Sequence, residues 1–106
     1  MNDPQAGGIY LIVQFDWPES VDGELASKAR VLHDLTQEAD WIREVVAGSG
    51  GLGAGPSSLW IFWLENYAAL DRLLNNTTDP ICQAYLAFFT QMTHVSDFIR
   101  EKVRFL

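Results

Sequence analysis

The stretch Ile9-Tyr10-Leu11-Ile12-Val13-Gln14-Phe15-Asp16-Trp17, closed by Pro18, decides how the rest of the chain is read. Ile9, Leu11, Val13, Phe15 and Trp17 share one parity, and Tyr10, Ile12, Gln14 and Asp16 the other. The run therefore predicts a strand whose two faces are both at least partly apolar. Leu59 to Leu64 repeats the pattern, with Leu59, Ile61 and Trp63 on one side and Trp60, Phe62 and Leu64 on the other. Neither face of such a strand can be left in water.

Working outward, Asp22 is a candidate N-cap, and Leu25, Ala29, Leu32, Leu35 or Thr36, and Ala39 recur at helical spacing, predicting a helix from Gly23 or Glu24 to Glu38. Trp41 to Ala47 reads as a second strand because Ile42, Val45 and Val46 are β-branched and glycines follow at once, although the helix could run on through it. Gly48 to Ser58 holds five glycines and Pro56, a long flexible hairpin connection. A short helix starts at Glu65 or Asn66, with Tyr67, Leu70, Leu73 and Leu74 as its buried stripe. Asp79-Pro80 caps and opens another helix, about Pro80 to Gln91, whose apolar arc is too wide for one ordinary surface helix. Val95 to Phe105 is expected to be an edge strand, with a C-terminal helix as its rival.

The order is strand, helix, strand, strand, helix pair, strand: the βαββαβ pattern of an α+β ferredoxin-like sandwich, with helices on one face of a four-stranded antiparallel sheet. The domain is expected to run from Ile9 to the C-terminus after a loose tail, Met1 to Gly8. With 106 residues the chain is one domain. It is 48% hydrophobic and only 20% charged, so something beyond the monomer is expected to cover apolar surface, and a second copy of the chain is the simplest cover. Fourteen acidic against seven basic residues give a net charge of -7, which argues against nucleic acid and anionic membrane as partners. No window has the length of a membrane helix, and the N-terminus lacks the cationic start and apolar core of a signal peptide, so the cytoplasm is the expected compartment.

Tyr10-Leu11-Ile12-Val13-Gln14-Phe15, Trp60-Ile61-Phe62-Trp63-Leu64-Glu65-Asn66 and Asp79-Pro80-Ile81-Cys82-Gln83-Ala84-Tyr85 resemble segments of the dimeric α+β barrel superfamily. The resemblance covers nearly all of Ile9 to Phe105 and is one of layout more than of invariant residues. It implies a homodimeric barrel. It also implies an activity like that of its members, which include cofactor-independent antibiotic-biosynthesis and quinol-forming monooxygenases, muconolactone isomerases, polyketide cyclases and haem-degrading enzymes. The expectation is an oxygenase-like or cyclase-like enzyme for an aromatic, polyketide or quinol-like molecule, with no bound cofactor. A noncatalytic ligand-binding or structural homodimer is the alternative.

On that reading Trp60, Phe62, Tyr85 and Phe89 line a cavity for a flat apolar ligand, unless the aromatic residues simply fill the core and dimer seam. Tyr10, Gln14 and Asp16 share one strand face, so a phenol and an amide could bind a ligand oxygen and Asp16 abstract a proton; Asp16 could equally stay ionised in water. His33, at the edge of the first helix's stripe, is a candidate proton shuttle or a plain surface histidine. Asn66 could polarise a ligand carbonyl or cap its helix. His94 could cap a helix end or ligate a haem. Arg100, Lys102 and Arg104 read as edge protection, or as partners of a carboxylate. Cys82 reads as buried filler, and no metal-ligand spacing occurs among the acidic, Cys and His residues.

Overall fold

The computed structural model describes residues 6–105. The expected tail therefore lies mostly outside the described residues. Along the chain the elements are β1 (Ile9–Asp16), α1 (Gly23–Gln37), β2 (Ile42–Ser49), β3 (Ser58–Leu64), α2 (Tyr67–Asn75), α3 (Pro80–Phe89) and β4 (Thr93–Glu101). All three strand pairs are antiparallel, in the order β2-β3-β1-β4. This is the ferredoxin-like topology.

Each helix begins where a short polar side chain can accept an otherwise orphaned amide. Asp22 Oδ1 accepts from Leu25 N at 2.8 Å, Asn66 Oδ1 from Ala69 N at 2.9 Å, and Asp79 Oδ1 from Ile81 N at 2.8 Å. The helices bury Leu25 and Leu32 of α1, Leu70 and Leu73 of α2, and Ile81, Tyr85, Phe88 and Phe89 of α3. Their partners are the buried parity of β1, Ile9, Leu11, Val13 and Phe15, with Trp60, Phe62 and Leu64 of β3. The wide apolar arc of α3 is explained by its neighbours: it packs against α1 and α2 while its rings reach Phe15, Trp60 and Phe62 of the sheet.

Three expectations need correction. The sheet does not close into a barrel: β2 and β4 are its two edges, with β3 and β1 between them, so the expected α+β barrel is replaced by an open four-stranded sheet. Closure would require the edges to pair, which a short twisted sheet with helices on one side does not bring about. The second strand begins at Ile42 and extends to Ser49; Trp41 instead lies buried beneath the Arg72 guanidinium at 4.5 Å, and its carbonyl accepts Glu65 N at 3.1 Å. The fourth element is a strand and not a helix, but it runs from Thr93 to Glu101, because pairing opens with Thr93 opposite Asp16 and ends at Ile9 opposite Glu101.

Candidate functional site

Helices cover one side of the sheet only, and the strand register specifies what the other side presents. Directly opposed across the four strands are Val46, Ile61, Ile12 and Phe98, an unbroken apolar row. On one side of it lies the row Glu44, Trp63, Tyr10 and Arg100, on the other Gly48, Leu59, Gln14 and Ser96. The two ends of this open face differ in character. At one, the Trp63 ring packs 6.2 Å from Tyr10 and carries the Arg43 guanidinium at 5.8 Å and the Lys102 ammonium at 5.3 Å. At the other, polar groups gather around a cleft of about 320 Å³ bordered by Gln14, Leu59, Ser49, Ser57 and the glycine-rich connection between β2 and β3.

That connection is shaped by glycine where backbone geometry requires it. Gly50 has φ +78° and donates its N–H to Ser57 O at 2.8 Å, closing the base of the connection. Gly55 has φ +92°, and a Cβ there would sit 3.9 Å from the Gln14 amide, so the loop approaches this side chain closely. Beyond Gln14, Asp16 is held on both oxygens: Oδ1 accepts Ser57 N at 3.0 Å and Ser57 Oγ at 3.2 Å, and Oδ2 lies 3.1 Å from His94 Nδ1. The Ser57 N–H foremost, with the Ser57 hydroxyl and His94, keeps the Asp16 carboxyl below its ordinary range.

The anticipated site residues fall into four separate places. Tyr10, Gln14 and Asp16 lie on the open face; Tyr10 joins the Trp63 end, Gln14 borders the cleft, and Asp16 lies beyond it, bonded to the Ser57 that borders the cleft. Trp60, Phe62, Tyr85 and Phe89 lie on the opposite side of the sheet, under the helices, where their rings contact one another and those of Phe15 and Phe88 at 4.6–6.2 Å. Burial pushes the Tyr85 hydroxyl well above its ordinary range, with the Asp97 charge adding to the shift. His33 is on the half-exposed side of α1, 3.7 Å from Asp34 Oδ1 and 3.5 Å from the Gln37 amide nitrogen, in the helical layer and away from the open face. Asn66 caps α2.

The group sequence reasoning missed is the pairing of Asp16 with both His94 and Ser57. The two partners of the histidine contact are 78 residues apart, and only the β1–β4 register brings them together. Cys82, in the first turn of α3, is buried, and burial raises its thiol pKa, so it stays a neutral packing group. Among the described residues no group of three or more His, Cys, Asp or Glu side chains could hold a metal ion, and no helix is long and apolar enough to cross a membrane.

Neither protein-family models nor curated proteins match the sequence. Solved structures do. A dimeric ferredoxin-like protein of unknown function from Thermobifida fusca superposes with a TM-score of 0.63 at 20% identity, covering 93% of this chain and 92% of its own. The hydroxynitrile lyase of Passiflora edulis superposes with a TM-score of 0.73 at 13% identity, over 97% and 99% of the two chains. A dimeric protein of ferredoxin-like fold from Bacteroides fragilis gives 0.61 at 14% identity, over 89% and 95%. Identities this low carry the fold alone.

Proposed function

We propose that the chain works as a homodimer that binds small, largely apolar molecules, with two copies packing open face on open face and the cleft beside Gln14 serving as the ligand site. The observation that carries this reading is the uncovered row Val46, Ile61, Ile12 and Phe98, which no helix of the same chain shields. Apolar surface of this kind contributes about 25 cal/mol per Å² when removed from water. A second copy supplies a matching row of the same composition, as a two-fold interface requires. The dimeric description of two proteins sharing this fold supports the same choice of partner.

Of the reaction classes implied by the resemblance, proton transfer of the cyclase or isomerase kind fits this end of the sheet, where the Gln14 amide borders the cleft and the Asp16–His94 contact lies next to it, behind Ser57. A flat molecule with one polar atom would lay its apolar surface on Leu59 and the connection and its polar atom on Gln14. The noncatalytic alternative is favoured by a specific observation of its own, the ring-on-ring packing of Trp60, Phe62, Tyr85 and Phe89, which makes the aromatic residues core.

Native mass spectrometry and light scattering test the reading. The wild-type chain should be a dimer at micromolar concentration, and Ile12→Lys, which places a charge in the middle of the row, should be a folded monomer. A monodisperse wild-type monomer would sink the proposal; a dimer that Ile12→Lys leaves intact would move the interface elsewhere.

A further inference from the structure

Three chain segments converge past the end of the apolar row: the close of β1 at Asp16, the end of the glycine-rich connection at Ser57, and the start of β4 at Thr93 and His94. Asp16 is held at both carboxylate oxygens and at its carbonyl, while its side chain stays 37% exposed and that of His94 76% exposed. Its Oδ1 accepts the Ser57 N–H and hydroxyl, its backbone carbonyl accepts the Thr93 hydroxyl at 3.2 Å, and its Oδ2 faces His94 Nδ1 at 3.1 Å. An ionised carboxylate only accepts hydrogen bonds, so a neutral His94 must place its proton on Nδ1 and leave the Nε2 lone pair free. His94 also has φ +52°, the one positive value at a non-glycine position among the described residues. Backbone in that region is uncommon for a residue with a side chain, and it clusters at working sites. The field on the ring comes from Asp16: residues 48–58 carry no titratable side chain, nor do Thr90, Gln91 and Met92 between α3 and β4, and Glu19 beyond β1 is exposed.

We propose that Asp16 and His94, tied to the border of the cleft through Ser57, form a proton-accepting pair. His94 Nε2 takes a proton from an acidic C–H or O–H of a small uncharged molecule held against Gln14 and Leu59, and Asp16 is the positioning residue. The substrate's place rests on the cleft reading above; the pair itself rests on the contacts just given. In the step, the substrate's bond to hydrogen breaks and the proton moves to Nε2. The electron pair stays on the substrate as a carbanion or oxyanion, or expels a leaving group, while the Gln14 amide N–H is available to a developing negative oxygen. The imidazolium is balanced by the Asp16 carboxylate until it returns the proton to product or to water. The roles differ from the direct abstraction by Asp16 that the strand pattern alone suggests, because both carboxylate oxygens are already engaged.

Two measurements test this. The first is ¹⁵N NMR of the histidine rings in the intact protein. His94 should be mainly in its Nδ1–H form, and Asp16→Asn should return it toward the Nε2–H form that free histidine prefers. A wild-type His94 in the Nε2–H form overturns the pair. The second uses 5-nitrobenzisoxazole as probe. A base removes its ring C–H proton, the carbon–nitrogen triple bond forms as the N–O bond breaks, and a coloured phenolate leaves. The wild-type rate should fall about tenfold or more in His94→Gln, general base catalysis being worth on the order of 100-fold where a base is positioned. Asp16→Asn should lie between the two, with a shifted pH profile that a purely structural role would not produce. Equilibrium dialysis separates the failures. Probe bound to wild type but turned over equally fast by His94→Gln overturns the pair alone. No binding overturns the cleft reading and the substrate half of this inference with it.

Discussion

Asp79 links three groups, two directly and one through Arg72. Its Oδ1 accepts Ile81 N, its Oδ2 receives Arg72 Nε at 2.6 Å, and the Arg72 guanidinium in turn stacks on Trp41. The carboxylate side chain is only 6% exposed while Arg72 is 48% exposed, so the ion pair is buried on one side and screened on the other. Burial works against ionisation of Asp79, and Arg72 with the Ile81 amide outweighs it, leaving the carboxyl below its ordinary value of 3.8. A depressed folded-state value means that the unfolded chain binds more protons in this range. The contribution is thus complete above the unfolded value and is lost as pH falls below about 4 through the folded value. Asp79→Ala should cost about 2–3 kcal/mol in urea unfolding at pH 7, combining a lost cap with an arginine left without its acid. Asp79→Asn keeps part of the cap and should flatten the acid limb of stability below about pH 4. An acid limb identical to wild type would mean that Arg72 and Asp79 are not coupled in solution. The sequence disclosed the cap, through Asp79 followed by Pro80, but not the ion pair, since nothing in the spacing of residues 72 and 79 says that two helices will bring them together.

Among the elements, the connection between β2 and β3 is where local chemistry and site geometry meet. Its glycines are not equivalent. Gly55 lies at φ +92° close to Gln14, whereas Gly48 is a strand residue with nothing within 4 Å of a Cβ. Gly55→Ala should therefore destabilise by about 1 kcal/mol, because alanine is strained in that region. It should also weaken ligand binding at the cleft. Gly48→Ala should be neutral or stabilising by about 0.5 kcal/mol, because it restricts the unfolded chain without clash. Urea midpoints of the two variants check the pair; equal costs would mean that the loop's positive φ values are not maintained in solution. A hairpin was legible here from glycine and proline content alone, but its ordered relation to Gln14 and Asp16 was not. The Ser57 contacts to Asp16 span 41 residues and depend on the pairing of β1 with β3. The same limit hid the His94 contact, for which the β1–β4 register shift between Gln14 and Asp16 must also be known.

For the whole molecule, the alternation in β1 and β3 disclosed that both sides of the sheet are apolar, and the open row confirms that Ile12 and Ile61 have no helix above them. Closure into a barrel could not be read in the same way. It depends on whether edge strands β2 and β4 meet, a property of twist and strand number that no single strand's pattern carries. What an open apolar face does demand is a thermodynamic signature. If two copies cover it for each other, folding is linked to association, and each tenfold rise in protein concentration adds about 1.4 kcal/mol to the stability of the dimer. For two chains of 106 residues that is a rise of about 3–4 °C in Tm per tenfold, from the usual unfolding entropy per residue. Each copy carries a net charge of -7, so the copies repel at long range, and moderate salt should raise the Tm further by screening that repulsion. Calorimetry from 5 to 500 μM, in low and in ~0.15 M salt, reads both effects. Ile12→Lys should abolish the concentration dependence, and a wild-type Tm independent of concentration would mean that the row Val46, Ile61, Ile12 and Phe98 is covered by something other than a second copy.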